Sequence, residues 1–447
     1  KYTYSFDGVA PESVKVSLRT TANNTQDITY YYDGMANLVQ LKTDVEDGQQ
    51  IVKNIFYDSQ FRVGSEQNPY FAATSAGLSN SSGASNTTYT YDALDRVIGV
   101  RNTDGTSKNI TFDRFDITDF DENSNKHKYT LDGLGRISHV YEYNTNDVGL
   151  NETYITTYNY DSNDNLITIT DTLGNVFSFT YDSLSRKTAM TDPDLGRWQY
   201  AYNTNGNLIT QTDARNQTIT LAYDVLNRVL RKVYVDNGSS YNISFGYDKD
   251  YYGTLTNISL PNASFSFDYD DRLRVITQRL TVEGVAAPTD FVYDSQDRIL
   301  SEASSSVDVD YLLNKLGRTK KIPGFINDSR YSAFGSVLNR TFGNNLVASF
   351  SYNVQNNRLT NIAIPNVQNL SYTYDSVGNI LTINDVTQGK LHTMTYDNLD
   401  RMRTATIGSD RYVYSFNPTG NVMKIVKNNV SKKFVYQGNQ SHAPSRI

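Results

Sequence analysis

The chain has 447 residues, a formal net charge of −7 and no cysteine. The lack of cysteine excludes disulfides and thiolate metal sites, and the mildly acidic, interspersed charge excludes the basic stripe typical of nucleic-acid-binding proteins. Only 38% of the residues are hydrophobic, and no apolar run is long enough to predict a membrane span. We therefore expect an open architecture with little solid core, no nucleic-acid partner and no membrane span.

The dipeptide Tyr-Asp, or a close variant of it, recurs every 21 residues in the middle of the chain. The strictest copies begin at Tyr160, Tyr181, Tyr202 and Tyr223. With degenerate variants, about 18 copies run from Tyr32 to Tyr436, and a fixed period of this length is typical of repeat architectures. We predict a single array over residues 1–447, strictest at 160–230, with inserted loops or degraded repeats near 64–88 and 102–128, where the spacing exceeds one period.

One repeat reads as one β-hairpin. Between Leu166 and Tyr181, β-branched and aromatic residues alternate with period two on either side of the turn-forming segment DTLGN, a pattern that indicates two strands. No window shows a long apolar period of 3.6 residues, so we expect essentially no helix. The predicted fold is all-β: an antiparallel hairpin ribbon of roughly 36 strands, about 170 Å long, coiled into a hollow shell, barrel or spiral.

The repeated polar residues have a structural interpretation. The Asp after each Tyr lies where a strand ends, and its carboxylate is expected to accept the backbone N–H two residues on. The Arg four residues later is expected to bridge to that Asp across the turn. The residues assigned to this structural role are Tyr160, Asp161, Tyr181, Asp182, Arg186, Tyr202, Tyr223, Asp224 and Arg228.

The sequence gives little evidence for a metal-binding or catalytic site. Four histidines occur without zinc-site spacing. Asp119, Asp121 and Asn123 alternate as calcium ligands do, but the absence of the Gly and Glu that complete a calcium loop favours a solvated acidic loop. An active site needs one asymmetric constellation of side chains, whereas this chain offers many similar units. We therefore expect no catalytic residues and no cofactor.

Asn-x-Ser/Thr triplets are numerous and favour a secreted or cell-surface protein that carries N-glycans, although a composition rich in Asn, Ser and Thr also produces them by chance. The candidate acceptors are Asn23, Asn80, Asn86, Asn109, Asn151, Asn216, Asn237, Asn242, Asn257, Asn262, Asn327, Asn339, Asn369, Asn429 and Asn439.

The repeats resemble the YD repeats of the Rhs family. Close matches are YDALDRVI from Tyr91, YDSQDRIL from Tyr293, YDSVGNIL from Tyr374 and YDNLDRMR from Tyr396, and TDPDLGRWQYAYN from Thr191 resembles a recurrent Rhs phrase. The resemblance implies a β-ribbon that spirals into a hollow shell, as in polymorphic toxins, the cocoon subunits of insecticidal toxin complexes and teneurin adhesion proteins. Rhs toxins carry a self-cleaving core after the repeats, and its signature is absent here, so we expect the repeat segment of a longer chain or a simplified relative.

Three functions stay open. The leading hypothesis is a non-catalytic extracellular scaffold that self-associates at its open ends. The second is the encapsulating shell of a polymorphic toxin, which would enclose a polypeptide. The third is an adhesion module that binds a surface glycan or protein through its inserted loops, because loops on a rigid scaffold carry recognition.

Overall fold

The computed structural model describes residues 1–6, 8, 11–20, 25–81, 83, 85–145, 149, 151–236, 238–436, 442 and 444–446. Within these residues the chain forms 41 β-strands and no helix, as the alternating pattern predicts. No helix in this part of the chain is therefore long and apolar enough to cross a membrane.

The strands follow one another at short intervals along the chain. They are β1 (Tyr2–Ser5), β2 (Glu12–Arg19), β3 (Thr25–Tyr32), β4 (Leu38–Asp44), β5 (Gln49–Tyr57), β6 (Val63–Gln67), β7 (Tyr70–Ala73), β8 (Asn86–Tyr91), β9 (Val97–Arg101), β10 (Ser107–Asp113), β11 (Asp116–Phe120), β12 (Lys126–Leu131), β13 (Ile137–Thr145), β14 (Asn151–Tyr160), β15 (Leu166–Thr170), β16 (Val176–Tyr181), β17 (Lys187–Asp192), β18 (Gly196–Tyr202), β19 (Leu208–Thr212), β20 (Thr218–Tyr223), β21 (Val229–Asp236), β22 (Ser239–Tyr247), β23 (Leu255–Ser259), β24 (Ala263–Tyr269), β25 (Val275–Val282), β26 (Val285–Tyr293), β27 (Ile299–Ser304), β28 (Asp308–Asp310), β29 (Leu312–Leu313), β30 (Thr319–Lys321), β31 (Ile326–Tyr331), β32 (Val337–Phe342), β33 (Val347–Tyr352), β34 (Leu359–Ile364), β35 (Gln368–Tyr374), β36 (Ile380–Asp385), β37 (Lys390–Tyr396), β38 (Met402–Ile407), β39 (Asp410–Phe416), β40 (Val422–Lys427) and β41 (Val430–Lys433).

The strands form a meandering antiparallel ribbon. Strands β1–β28 make one 28-stranded sheet, β29 and β30 a hairpin, and β31–β41 an 11-stranded sheet. Almost every strand pairs with its neighbours in sequence, so the ribbon has two long edges made of turns. The turns that follow the Tyr-Asp dipeptides lie along one edge, which we call the YD edge, and the intervening turns lie along the opposite edge.

The ribbon coils into a spiral. Hydrogen bonds join residues between 248 and 287 positions apart, and they link turns of the YD edge to turns and strand ends of the opposite edge. Because this separation recurs along the chain, one revolution takes roughly 250 residues. The strands from β10 to β33, which separate two such contacting turns, number 24. At about 4.8 Å per strand, one revolution is about 115 Å around and roughly 37 Å across.

The wall is one sheet thick. The solvent-accessible surface is 25864 Å², whereas a compact globular protein of this mass exposes about 17,000 Å². Side chains in strands such as β10 and β18 alternate between exposed and half-buried, and only a few apolar residues of the described chain are fully buried, among them Val52 and Tyr154. The few apolar residues therefore lie in a thin, curved wall and do not form a central core.

The two stretches expected to be inserted loops contain strands. Residues 102–128 hold β10 and β11 and the start of β12, which continue the antiparallel ladder, so this stretch is a degenerate repeat and not a loop. Its Tyr-Asp motif is replaced by a tight turn at Arg114, which has a φ of 54°. In 64–88, β7 pairs with β5 while β6 pairs with β8, and the described residues between Ala73 and Asn86 form no strand.

Candidate functional site

Each YD turn is a compact hydrogen-bonded unit, well shown at Asp182. Its backbone N–H donates to the carbonyl of Arg186 (3.0 Å), and the N–H of Ser185 donates to the Asp182 carbonyl (3.0 Å). Asp182 Oδ1 accepts the N–H groups of Leu184 (2.9 Å) and Arg186 (3.0 Å). The pairing register shifts at Tyr181, as in a hairpin whose type I turn ends in a left-handed residue and a bulge.

The left-handed position explains part of the motif's composition. The residue before the Arg or Asn has a positive φ: 59° at Ser185, 63° at Asn227 and 82° at Gly135. Gly accepts this conformation without steric cost, and Asn and Asp tolerate it better than other residues do. This is why Gly, Asp, Asn or Ser stands at that place in most copies.

The Arg joins one repeat to the next. Arg186 Nε donates to Asp182 Oδ2 (2.7 Å) and its Nη1 to the carbonyl of Asn203 (3.2 Å), while its guanidinium lies 4.9 Å from the ring centroid of Tyr202. The same Arg-over-aromatic contact with the following repeat recurs at Arg62–Tyr91, Arg136–Tyr160, Arg228–Tyr247, Arg274–Tyr293, Arg318–Tyr331, Arg358–Tyr374 and Arg401–Phe416.

The Tyr hydroxyl makes a second link between repeats, which the sequence alone did not reveal. Tyr202 Oη donates to the carbonyl of Lys187 (2.8 Å), the residue directly after the previous YD turn. Equivalent bonds to the previous repeat are made by Tyr57, Tyr91, Tyr160, Tyr181, Tyr223, Tyr247, Tyr269, Tyr293, Tyr331, Tyr374, Tyr396 and Tyr436. Each Tyr therefore ties a turn to its neighbour along the YD edge.

The carboxylates of these turns are held ionised. The Arg186 guanidinium and backbone N–H lower the pKa of Asp182, and the Asn165 side chain does the same for Asp161. At Asp248, the hydrogen bonds from Arg228 (2.8 and 2.6 Å) lower the pKa to about 2. At Asp224, burial raises the pKa, but the backbone and guanidinium hydrogen bonds of Arg228 outweigh it and the pKa is lowered.

A second set of contacts forms the seam between the first and second revolutions. We define the seam by the turns of the YD edge from Asp294 onward and the turns of the opposite edge that they touch. At its centre, the Asn398 side chain accepts the N–H of Thr145 (3.1 Å) and donates to Asn125 Oδ1 (2.7 Å), and the Asn398 N–H donates to Asn144 (3.1 Å). Arg401 lies 5.8 Å from the ring centroid of the buried Tyr154.

The seam continues in both directions from that cluster. Its other hydrogen bonds join Ser295 to Arg19, Lys315 to Glu46, Gln355 to Asn68 and Thr103, Asn356 to Asp104, Asp375 and Ser376 to Asn123, and His442 to Asp194. His442 Nδ1 lies 2.6 Å from Asp194 Oδ2. The seam is thus polar and made largely of side chain–backbone bonds.

The calcium candidates take part in these structural contacts. Asp121 Oδ1 accepts the N–H groups of Asn123 and Asn125 within a turn, Asn123 bonds Asp375 across the seam, and Asp119 pairs with Lys108 (3.0 Å). In the described part of the chain, no three acidic, His or Cys side chains converge as metal ligands. The hydrogen bonds and the ion pair of these residues support the structural interpretation, and calcium binding by them stays a prediction.

The segment 74–81 lies against its own sheet. The side-chain ammonium of Lys42, which is 2% exposed, donates to the carbonyls of Ser75 (3.3 Å) and Gly77 (2.5 Å), and burial lowers the pKa of that ammonium. Gln40 holds the same segment through the N–H of Ser79 (2.9 Å). The segment therefore has little freedom to serve as a projecting recognition loop.

Twelve of the glycosylation candidates lie within the described residues, while Asn23, Asn237 and Asn439 fall outside them. The exposed ones are Asn80, Asn86, Asn109, Asn151, Asn216, Asn242, Asn262 and Asn429. Asn257, Asn327, Asn339 and Asn369 are half-buried in the wall.

Comparison with known proteins agrees with this geometry. The family model for the RHS repeat matches residues 160–196 and 202–240, and no curated protein sequence matches the chain. The solved structure of TcdB2-TccC3 covers 99% of this chain with a TM-score of 0.89 at 17% identity, and this chain covers 28% of that one. The Tc holotoxin pore of Photorhabdus luminescens covers 97% with a TM-score of 0.86 at 18% identity, again over 27% of the solved chain.

These similarities define the class of protein. The fold is that of a YD-repeat β-shell, shared along almost the whole chain with the Tc toxin structures, and identities this low show the fold alone. The RHS-repeat model matches residues 160–196 and 202–240, so these residues carry RHS repeats, and almost the whole chain shares the fold of the Tc toxin shell. The chain spans about a quarter of the length of the solved chains that it matches.

Proposed function

We propose that the chain is a non-catalytic, extracellular structural scaffold, the wall of a hollow β-spiral. The observation that supports it best is the single-layer wall, which exposes 25864 Å² of surface, well above the roughly 17,000 Å² of a compact protein. The Asp side chain closes its own turn, and in most repeats the Arg and Tyr side chains link neighbouring repeats. This leaves the repeated Asp, Arg and Tyr side chains as structural groups rather than candidates for catalysis.

The enclosure is testable because the chain has no cysteine. Ala201 is exposed beside Tyr200, which pairs with Gln211, so Ala201 and Gln211 lie on opposite faces of the sheet. Single variants Ala201→Cys and Gln211→Cys are each reacted with a small maleimide and with a polyethylene-glycol maleimide. We expect the polyethylene-glycol maleimide to react much more slowly than the small maleimide at one of the two positions only, because the face with that position lines the lumen. Equal slowing at both positions would contradict an enclosed lumen.

A second candidate function is encapsulation of a polypeptide, as the shell segment of a polymorphic toxin. It is favoured by the fold shared with the Tc toxin structures. The test is cryo-electron microscopy of natively purified protein together with its intact mass. Lumenal density and a mass above 50.4 kDa plus glycans would support a retained cargo or a longer parent chain, whereas an empty spiral at the bare glycosylated mass argues against encapsulation.

The extracellular assignment has its own test. Treating natively purified protein with an N-glycosidase should lower its mass if the exposed acceptors, such as Asn80 and Asn216, carry glycans. An unchanged mass would mean that the Asn-x-Ser/Thr triplets carry no N-glycans and arise from the composition of the chain. Adhesion through 64–88 is the weaker alternative, because Gln40 and Lys42 anchor part of this stretch to the sheet.

A further inference from the structure

Residues 73–81, which we call the strap, lie across one face of the sheet and are held there through their main chain. The carbonyl of every second strap residue accepts a hydrogen bond from a side chain of the sheet. The bonds run from Gln50 to Ala73 (3.3 Å), from Lys42 to Ser75 (3.3 Å) and Gly77, from Gln40 and Tyr70 to Ser79 (2.6 and 3.0 Å), and from Gln67 to Ser81 (3.5 Å). The sheet side chains therefore bind the strap as a polypeptide backbone.

The side chains of the strap contribute less to this contact than its backbone does. Residues 74–78 are exposed, and Ser75 Oγ accepts a hydrogen bond from Lys42 Nζ (3.1 Å). At Ser79, Gln40 binds both main-chain groups: its Oε1 accepts the N–H (2.9 Å) and its Nε2 donates to the carbonyl. Because every residue except proline carries these two main-chain groups, the same side chains can bind a segment of a different sequence.

Two buried groups under the strap are poorly satisfied by it. Gln50 is 1% exposed, and its Oε1 has no hydrogen-bond partner among the described residues. Lys42 donates to neutral oxygens of the strap, and burial lowers the pKa of its ammonium more than the nearby Asp44 raises it. A buried amide oxygen without a donor and a buried cation without a counter-charge both cost free energy. A segment that brings an N–H to Gln50 and a carboxylate to Lys42 would therefore fit this face better than the strap does.

We propose that the face under the strap is a binding site for a non-helical segment of another polypeptide that carries an Asp or Glu side chain, and that the strap occupies this site until such a segment displaces it. Asn54 positions the site: its Nδ2 donates to Gln67 Oε1 (2.6 Å) and to the Tyr70 hydroxyl (3.3 Å), and its Oδ1 accepts from Gln40. The incoming carboxylate pairs with Lys42. The inference goes beyond the scaffold and does not require an enclosed lumen.

Variants of the full chain test displacement. Ser79→Pro removes the N–H that Gln40 accepts and should loosen the strap, whereas Ser75→Asp places a carboxylate beside Lys42 and should hold the strap in place. The probe is a fluorescent peptide with the sequence of residues 73–81, capped at both ends and carrying Ser75→Asp, and its binding is measured by fluorescence anisotropy.

The affinity for this peptide should depend on how firmly the strap is held. We expect the Ser79→Pro chain to bind most tightly and the parent chain more weakly, because the attached strap competes at an effective concentration on the order of millimolar. The Ser75→Asp chain should bind roughly tenfold more weakly than the parent, because its own strap forms the charge-assisted bond. The control Ala76→Asp places the same charge on an exposed neighbouring residue and should bind as the parent does.

The requirement for a carboxylate has its own comparison. A peptide that carries Ser75→Lys should bind the Ser79→Pro chain at least about tenfold more weakly than the Ser75→Asp peptide, because it brings a second cation to Lys42. Adding Lys42→Gln to that chain should abolish the difference between the two peptides. Hydrogen exchange gives a readout without any peptide: the amide of Ser79 should exchange more slowly in the Ser75→Asp chain than in the parent.

Three results would overturn the proposal. Equal affinity of the parent, Ser75→Asp and Ala76→Asp chains for the peptide, or no binding by any of them at millimolar peptide, would mean that the strap covers no exchangeable site. Equal binding of the Asp and Lys peptides by the Ser79→Pro chain would mean that Lys42 does not select a carboxylate. Unchanged exchange at Ser79 in the Ser75→Asp chain would mean that the strap is not held through Lys42. The comparison of the parent with Ser75→Asp does not need a folded Ser79→Pro chain.

Discussion

At the scale of single residues, the Asp, the Arg and the Tyr of the YD motif have different structural roles. The Asp closes its own turn, the Arg reaches the aromatic ring of the next repeat, and the Tyr hydroxyl reaches back to the carbonyl after the previous turn. The sequence predicts the turn and the Asp–Arg pair, because both lie within five residues. The destination of the Tyr hydroxyl depends on which strand becomes the neighbour, and the motif alone does not specify that.

The left-handed position of the turn gives a prediction with an internal control. Gly133 and Gly135 lie in the same YD turn and both have open space around the position of a Cβ atom, but only Gly135 has a positive φ, of 82°. We expect Gly135→Ala to lower the free energy of unfolding by about 1 kcal/mol, because an L-residue is strained there. Gly133→Ala should be neutral or raise it by about 0.4–1 kcal/mol. Chemical denaturation of both variants checks this, and equal effects would contradict the assignment.

The hydrogen bond of the Tyr hydroxyl gives a second prediction with a control. Tyr202→Phe should destabilise the hairpins around β17–β19 by about 0.5–1.5 kcal/mol, since the hydrogen bond to the Lys187 carbonyl is lost while the ring contact with Arg186 remains. Native-state hydrogen exchange of the amides between Lys187 and Thr212 measures this locally. Tyr252, which is 94% exposed, is the matched control, and Tyr252→Phe should leave exchange unchanged. If Tyr202→Phe also leaves it unchanged, the hydroxyl bond contributes nothing to stability.

At the scale of the elements, the period of 21 residues predicts hairpins, their order and the absence of helix correctly, because each hairpin is specified by alternation and turn residues within one repeat. It fails at 102–128, where β10, β11 and part of β12 form without a Tyr-Asp dipeptide. There Lys108–Asp119 and Lys128–Asp116 pair across neighbouring strands and take the place of the motif's contacts. Local sequence patterns do not predict cross-strand pairs of this kind, because the pairs depend on the register of two separate strands.

The array should lose stability in acid. Hydrogen bonds from Arg lower the pKa of Asp92, Asp132, Asp182 and Asp270 in the folded chain, and the Asn165 side chain lowers the pKa of Asp161. A carboxylate whose folded pKa lies below its unfolded value of about 4 stabilises the fold above that value and ceases to do so as the pH falls through the folded pKa. We therefore expect these groups to leave the unfolding temperature unchanged between about pH 5 and 8. At pH values below about 4, the unfolding temperature should decrease.

Asp248 allows this acid dependence to be assigned. Its pKa is about 2, because two hydrogen bonds from Arg228 favour the carboxylate, so Asp248→Asn should make the fall between about pH 4 and 2 shallower. Asp308 is an exposed residue of β28, and Asp308→Asn is the control for the change from Asp to Asn itself. Thermal unfolding at a series of pH values checks both variants, and identical slopes would show that the Asp248–Arg228 pair is not linked to folding.

At the scale of the whole molecule, the seam is the feature that sequence analysis could not supply. The predicted ribbon was long enough for one wide ring, but the chain closes each revolution in roughly 250 residues and lays the next one against it. Leu184 and Leu399 stand in the same motif, YDxLxR, yet one is exposed and the other half-buried. Their difference follows from the number of repeats per revolution, which is set by sheet twist and coiling accumulated over many strands and not by any local pattern.

This pair of leucines provides the test of the seam. Leu399→Asp places a charge between the two revolutions, beside Thr156, Asp171 and Thr172, where desolvation and the nearby Asp171 carboxylate both oppose it. We expect the second revolution to separate from the first, which should increase the radius of gyration measured by X-ray scattering extrapolated to zero concentration. Leu184→Asp makes the same change at the same motif position in the first revolution, where the side chain is exposed, and should leave the radius unchanged. An equal response of the two variants would show that contacts within the ribbon, and not the seam, hold the spiral closed.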